Sequence, residues 1–276
     1  MRLFLLTTLT MIAFAANSVL NRLALETGEM DVMLFGAIRL ASGALMLAGL
    51  VIVQGRGFAL EGRGRLWGVS ALLAYIFGFS LAYDTLDPGF GALILFAVVQ
   101  VTMFAGALVS RDTLPPMRWI GAALALAGLG WLLAPGGTQN FAALPTLSMI
   151  AAGVGWGIYS LLGRGARDPL QATAMNFVLA APVALVIWVA AGTVSVMPMG
   201  VVWAVISGTV TSGLGYALWY RILPELGASR AAVAQLTVPL IALGGGMVLL
   251  GEVLTLRFAL AAALVILGVI LSLRQA

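Results

Sequence analysis

The sequence consists mainly of apolar runs of about 20 residues, separated by short polar connections. Of its 276 residues, 62% are hydrophobic and only 9% are charged, whereas an average soluble domain carries about 25% charged residues. A helix of about 20 apolar residues crosses a bilayer core of about 30 Å. The sequence therefore predicts an all-α integral membrane protein with ten transmembrane helices. The predicted spans are approximately 3–25, 32–53, 66–86, 89–109, 117–134, 146–163, 170–191, 199–221, 228–250 and 255–273.

The first predicted span could also be interpreted as a secretory signal. Met1 and Arg2 precede an apolar run, and the sequence at 13–15, Ala-Phe-Ala, resembles a cleavage site. We predict a retained helix, because the apolar character continues to Leu25 and the segment recurs later in the chain.

Arginines are concentrated in alternate connections. Eleven lie at the two termini and in connections 2-3, 4-5, 6-7 and 8-9, against two in the other connections. Because positively charged connections remain in the cytoplasm, we predict a bacterial-type inner membrane protein with both termini cytoplasmic. The eleven are Arg2, Arg56, Arg63, Arg65, Arg111, Arg118, Arg164, Arg167, Arg221, Arg230 and Arg274, and the two are Arg22 and Arg257.

Several chemical groups are missing from the sequence. It contains no cysteine, histidine or lysine, which excludes disulfides, thiolate chemistry, the commonest metal ligand and Schiff-base catalysis. No basic stripe indicates nucleic-acid binding, and no carboxylate lies at the centre of a predicted span. We therefore predict a protein that is not an enzyme, uses no cofactor or metal, binds no nucleic acid, and carries its solute without tight proton coupling.

The two halves of the chain, 1–138 and 142–276, resemble each other weakly. FAANSVLNR at 14–22 matches WGIYSLLGR at 156–164. Five spans per half is an odd number, so the second half enters the membrane from the opposite side. Such inverted repeats occur in secondary transporters, with the substrate site near the midplane between the repeats. Further matches, at a constant offset of 140 positions, are Gly106 with Gly246, Asp112 with Glu252 and Gly128 with Gly268.

The second half carries a recognisable pattern. YALWYRILPELGASRAAVAQLTVP at 216–239, followed by LLGEVLTLRFALAAALVILGVIL at 249–271, resembles the drug/metabolite transporter superfamily, in its ten-helix EamA-type branch. YDTLDPGFGALILFAVVQ at 83–100 and GAALALAGLGWLL at 121–133 look like a weaker copy. The resemblance implies a carrier of small solutes, since branches of the superfamily export amino acids, including aromatic ones, or carry nucleotide sugars and sugar phosphates.

The first half departs from this pattern at two places. Val99 stands where the second half has Pro239, and Arg111-Asp112 replaces Gly251-Glu252.

Polar and aromatic side chains inside the predicted spans are the candidate substrate-binding residues, because a polar group at membrane depth is costly unless it faces the bundle interior or a wet cavity. The amides of Gln100 and Gln235 suit a neutral or zwitterionic solute, and Pro239 permits a bend by freeing a backbone carbonyl. Packing between helices is the alternative role for each of them. The set comprises Asn17, Tyr75, Phe79, Gln100, Trp156, Tyr159, Thr211, Tyr216, Gln235 and Pro239.

Arg39 lies about one third of the way into the second predicted span. Two roles are open for this buried charge: a structural ion pair, or a contact with the carboxylate of a substrate. The acidic residues available for an ion pair are Asp31, Asp84 and Asp87.

These observations predict a secondary transporter that exports small amphipathic solutes, namely amino acids (aromatic ones among them) or related metabolites, by alternating access. A carrier of sugar phosphates or nucleotide sugars is one alternative, although such substrates would need several buried cations and only Arg39 is available. A non-transporting membrane scaffold is another. The expected partners are the lipid bilayer and a small-molecule substrate. The sequence does not determine the oligomeric state, and a monomer is compatible with it.

Overall fold

A computed structural model describes residues 1–26, 28, 30–58, 64–110, 115–134, 142–164, 166–192 and 195–272. The predictions made for Arg63, Arg111, Asp112 and Arg274 lie outside these residues. The described segments are helical apart from short connections. They comprise α1 Arg2–Glu26, α2 Val32–Val53, α3 Arg65–Tyr83, α4 Pro88–Val109, α5 Pro116–Leu133, α6 Ala143–Arg164, α7 Pro169–Ala191, α8 Pro198–Ile206, a π-helical segment Ser207–Leu214, α9 Gly215–Gln235, α10 Val238–Leu249 and α11 Leu256–Ser272.

The predicted ten-helix all-α architecture is confirmed. Within the described residues, eight helical stretches are long and apolar enough to cross a bilayer, the last of them running from Pro198 to Leu226 through α8, the π segment and part of α9. Two shorter apolar helices, α10 and α11, supply the remaining spans.

The helix starts follow from the local sequence. The Asp31 carboxylate accepts the backbone N–H groups of Met33 and Leu34 at 2.9 and 3.1 Å, which caps α2. Asp168 caps α7 in the same way through Gln171 N at 3.1 Å. Proline stands in the first turn of α4, α5, α7 and α8, where its missing N–H removes no helical hydrogen bond.

The eighth span is not the plain α-helix that the sequence predicts. Its middle, Ser207–Leu214, is a π-helix, in which each N–H bonds five residues back and the backbone is wider. The sequence SGTVTSGL is poor in helix-stabilising side chains. The hydroxyl of Thr209 donates to Val205 O at 2.7 Å.

The ninth span also differs from the prediction of one helix over 228–250. α9 continues to Gln235, so the turn expected around 222–227 is helical, and the chain breaks instead at Leu236 and Thr237. The helix passes through this segment although Pro224 lies in its interior, so the tertiary context outweighs the low local helix propensity. Pro239 therefore lies in the first turn of α10 and not mid-helix. There it breaks no hydrogen bond, so the predicted bend at a freed carbonyl is wrong.

The helices pack across the two halves of the chain. α2 packs against α7, α4 against α10, and α5 against α11. α6 lies between α3 and α4 because its glycines permit close approach. A Cβ at Gly155 would lie 2.7 Å from Ala71 O on α3, and one at Gly153 would lie 2.7 Å from the Val98 Cβ on α4.

Candidate functional site

A narrow cavity is enclosed among α1, α3, α4, α6 and α9. The volume open to the centre of a water-sized sphere is about 10 Å³, which is room for about one water molecule. The described conformation is therefore closed, with no room for an organic solute. Its lining residues are Phe14, Asn17, Ser18, Tyr75, Phe79, Leu95, Phe96, Trp156 and Tyr216.

Asn17 on α1 organises the polar side of this cavity. Its side-chain Oδ1 accepts three hydroxyl donors from the π segment, at 2.5 to 3.5 Å. Because the π segment places all three hydroxyls toward α1, the carbonyl side of the amide is saturated. Asn17 itself lines the cavity. The donors are Ser207, Thr211 and Ser212.

Aromatic rings form the apolar side. The Trp156 ring on α6 lies between Tyr75 and Tyr216, with centroid separations of 4.9 and 5.1 Å. Phe14 meets the Tyr216 ring edge-on at 5.7 Å. Rings in such tilted and edge-on arrangements attract one another beyond simple burial, so this wall is a well-defined surface for an apolar or flat group.

Arg39 lies behind this aromatic wall with no exposed surface. Its Nε donates to Ser212 Oγ at 3.1 Å, and its Nη2 donates to Tyr75 Oη at 3.2 Å. The guanidinium carbon is 5.0 Å from the Phe79 ring centroid and 5.4 Å from that of Tyr75. Nη1 is buried and has no hydrogen-bond partner in the described part of the chain.

Of the two roles left open for Arg39, the ion pair with Asp31, Asp84 or Asp87 is not formed in the described part of the chain. Across the described ranges, no carboxylate forms an ion pair with its guanidinium. Asp31 caps α2, Asp84 is exposed after α3, and Asp87 precedes α4. All three lie at helix ends, whereas Arg39 is two turns inside α2, and this separation along the helix axis keeps them apart.

Tyr216 supplies a second unpaired group. Its ring lines the cavity, its side chain is buried, and its hydroxyl has no partner among the described residues. By contrast, the Tyr83 hydroxyl donates to Ser18 Oγ at 2.9 Å, which fixes the position of Ser18 on the cavity wall.

The structure brings together some of the sequence-predicted residues and separates others. Five of them line the cavity directly, namely Asn17, Tyr75, Phe79, Trp156 and Tyr216. Thr211 reaches it through Asn17, and Tyr159 stacks on Trp156 at 5.6 Å while donating to Thr173.

The remaining three predicted residues do not line the cavity. Gln100 is half-buried on α4, one turn beyond Phe96. Gln235 ends α9, also half-buried, and Pro239 is buried at the start of α10.

Sequence reasoning missed two groups of cavity residues. Phe14, Leu95 and Phe96 are ordinary apolar residues with no distinguishing signal. Ser207 and Ser212 had one, because four Ser/Thr hydroxyls and two glycines within SGTVTSG are unusual in an apolar span.

The two ends of the bundle are held closed by different contacts. At one end, the connection after α2 meets the start of α7, where Arg56 Nη1 and Asp168 Oδ2 are 2.6 Å apart. At the other end, the connection before α2 meets the one before α8. There Asp31 N donates to Ser195 O at 3.0 Å, and Met30 forms an isolated antiparallel bridge with Val196.

This helical bundle, with a buried polar and aromatic cavity between its halves, has the architecture of a membrane carrier. Residues 144–274 match the family model described as the EamA-like transporter family. The chain belongs to this family and is a multi-pass membrane protein.

Relatives extend the likeness beyond the matched half. An uncharacterized protein of Pseudomonas aeruginosa is 45% identical over 261 residues, covering 93% of this chain and 89% of that protein. The threonine/homoserine exporter RhtA of Salmonella typhimurium is 30% identical over 234 residues, covering 79% and 74%. A solved crystal structure agrees with a TM-score of 0.70 at 22% identity, covering 96% of this chain and 98% of that one, and this likeness shows the fold.

Proposed function

We propose that this protein exports small amphipathic solutes, namely amino acids (aromatic ones among them) or related metabolites, by alternating access. The observation that carries the proposal is the cavity, whose lining comes from α1, α3 and α4 on one side and from α6 and α9 on the other. It combines a polar end at Asn17 with an aromatic wall at Trp156, which suits a solute having one polar and one apolar end.

The helix contacts support the division into inverted repeats, 1–138 and 142–276. In this division each helix of the first half has a counterpart in the second: α6 for α1, α7 for α2, α8 with the π segment for α3, α10 for α4 and α11 for α5. Three of the observed contacts, α2–α7, α4–α10 and α5–α11, join a helix to its own counterpart. The contact of α3 with α6 corresponds to that of α1 with α8 and the π segment. Two similar halves of opposite orientation can exchange inward and outward openings at nearly equal energy.

Each of the two openings would require a different set of contacts to break. Separating Arg56 from Asp168 would open the arginine-rich end, and separating Asp31 from Ser195 would open the opposite end. By the arginine distribution, the first end faces the cytoplasm, as do both termini. A solute would pass when one set of contacts breaks while the other holds.

The charge near this cavity favours amino acids over phosphate-bearing solutes. Arg39 is a single cation, whereas a sugar phosphate would call for several. The relative RhtA is named as a threonine/homoserine exporter, which favours the same class.

A reconstitution screen tests the proposal. Purified protein in liposomes is loaded separately with labelled phenylalanine, threonine, an aromatic amine, glucose and a sugar phosphate, and efflux is compared with that from protein-free liposomes. We expect amino acids to leave fastest. Movement of phosphates alone would overturn the substrate class, and no movement of any solute would favour a membrane scaffold.

A further inference from the structure

The Arg39 guanidinium forms no ion pair with any Asp or Glu of the described residues. It has no exposed surface, and its two hydrogen bonds go to the neutral hydroxyls of Ser212 and Tyr75. Removing a charge from water costs several kcal/mol unless it is paired. The Tyr75 and Phe79 rings offset part of this through cation–π attraction, but Nη1 makes no hydrogen bond to the described residues. The Arg39 guanidinium therefore keeps one charged N–H group, Nη1, that could bind a solute.

Two further donors lie near this group. The Tyr216 hydroxyl is buried without a partner, and its ring lines the cavity together with that of Tyr75, which holds Arg39. Asn17, whose Oδ1 is occupied by hydroxyls of the π segment, lines the same cavity and carries an amide N–H donor. The described lining residues include no Asp or Glu, and the Arg39 guanidinium lies directly behind two of them, Tyr75 and Phe79. This side of the cavity therefore favours an anion.

We propose that Arg39, assisted by Tyr216, binds the carboxylate of the transported solute, and that the site selects the carboxylate and not the ammonium group. This inference rests on the proposed transport function and narrows its substrate class to small monocarboxylates. The aromatic wall around Trp156 then holds the remainder of the solute. An ammonium group finds no carboxylate partner there, so removing it from the solute should cost little.

Competition in counterflow tests this selection. Liposomes containing the purified protein take up labelled L-phenylalanine against unlabelled phenylalanine inside, while an excess of one competitor is present outside. The competitors are 3-phenylpropionate, which lacks the ammonium group, and L-phenylalaninamide, which lacks the carboxylate. The same comparison is run with L-threonine and L-threoninamide.

For the native protein we expect 3-phenylpropionate to compete about as well as phenylalanine. The amides should be at least about tenfold weaker, as for the loss of one charge-assisted hydrogen bond. In R39Q this preference for the carboxylate should disappear, and in R39K, which keeps the charge but loses the guanidinium geometry, it should be partly retained. Y216F, which deletes only the hydroxyl, should weaken the preference several-fold.

Matched variants control for the loss of an arginine or a hydroxyl elsewhere. Arg118 is exposed at the start of α5, and Tyr220 lies on α9 one turn beyond Tyr216, outside the cavity lining. R118Q and Y220F should keep the native preference.

The outcomes separate this inference from the transport proposal. If neither amino acid enters the liposomes, the transport proposal fails. If they enter but the amides compete as strongly as the acids, or folded R39Q keeps the full native preference, the role of Arg39 is wrong while transport stands.

Discussion

The Glu252 carboxylate accepts the backbone N–H of Gly89, with both carboxylate oxygens at 3.0 to 3.1 Å. Glu252 lies in the connection between α10 and α11, and Gly89 in the first turn of α4, so this contact joins the two halves of the chain at a helix N-terminus. Glycine is required at two neighbouring positions, because a Cβ at Gly89 would lie 2.7 Å from Glu252 Oε1 and one at Gly246 would overlap Oε2.

The burial of Glu252 makes the stability of the fold sensitive to pH. Burial raises the pKa of Glu252 from 4.5 to about 7, with Asp87 adding to the rise and the N–H groups of Gly89 and Phe90 opposing it. Since the pKa is raised in the closed form, the associated stabilisation is complete below about pH 4.5 and is lost as the pH rises to about 7. We expect the melting temperature of the native protein to fall between pH 5 and pH 8.

The matched variants for this prediction are E252Q and E225Q. E252Q resembles the protonated carboxyl and should lose most of the pH dependence, whereas E225Q, which alters an exposed carboxylate on α9, should keep it. An identical pH response in E252Q and the native protein would contradict the assignment.

Gly155 should be intolerant of a single added methyl group. Its Cβ would lie 2.7 Å from Ala71 O and 2.9 Å from Tyr75 N, both backbone atoms of α3, so α3 and α6 would have to separate. We expect G155A to lower the unfolding free energy by about 1–3 kcal/mol. G130A on α5, where nothing lies within 4 Å, should leave the melting temperature unchanged or raise it slightly. Equal melting temperatures for the two variants would refute this packing argument.

Two substitutions of Asn17 should separate its contribution to stability from its contribution to solute binding. N17D keeps an oxygen acceptor for the π-segment hydroxyls but loses the amide donor and adds a negative charge, so we expect a folded protein with at least tenfold slower phenylalanine counterflow. N17L leaves buried hydroxyls unsatisfied and should lower stability by about 1–3 kcal/mol. Thermal unfolding and counterflow measure the two effects, and full transport by N17D would show that Asn17 does not face the solute.

The Arg56–Asp168 ion pair should bias the arginine-rich end toward closure. D168N removes the ion pair while an Asn can still cap α7. Exposed ion pairs contribute about 0.2–1 kcal/mol. We therefore expect the equilibrium constant between the closed and open forms of this end to change by up to about fivefold. Because the chain has no cysteine, Gln100→Cys offers a single labelling site, and its reaction with an impermeant maleimide from that end should be faster in D168N. In high salt the difference should shrink, and persistence of the full difference would point to another cause.

Some of the fold and site follows directly from the sequence. Bilayer thickness fixes helix length, so the ten spans could be predicted. Tyr75, Trp156 and Tyr216 are large rings placed deep in their spans, and they converge because such residues face the interior of a bundle.

Other features depend on neighbours that the sequence does not reveal. The partner of Arg39 Nε is Ser212, 173 positions away, and no periodicity in either helix indicates that contact. Gln100 and Gln235 have the polarity of cavity residues, but polarity does not determine which face of a helix meets the cavity. The π segment and the break at Thr237 change the register of two spans, and the uniform 3.6-residue period assumed for them could not anticipate this.

The small size of the closed cavity bears on the return step of the transport cycle. After releasing its solute, a carrier that performs net export must pass through the closed form unloaded, and an empty void the size of an amino acid would penalise that passage in proportion to its volume. Here the side chains close around space for about one water molecule, so the unloaded protein closes without that penalty. A carrier that closes in this way can return unloaded, as net transport in either direction requires.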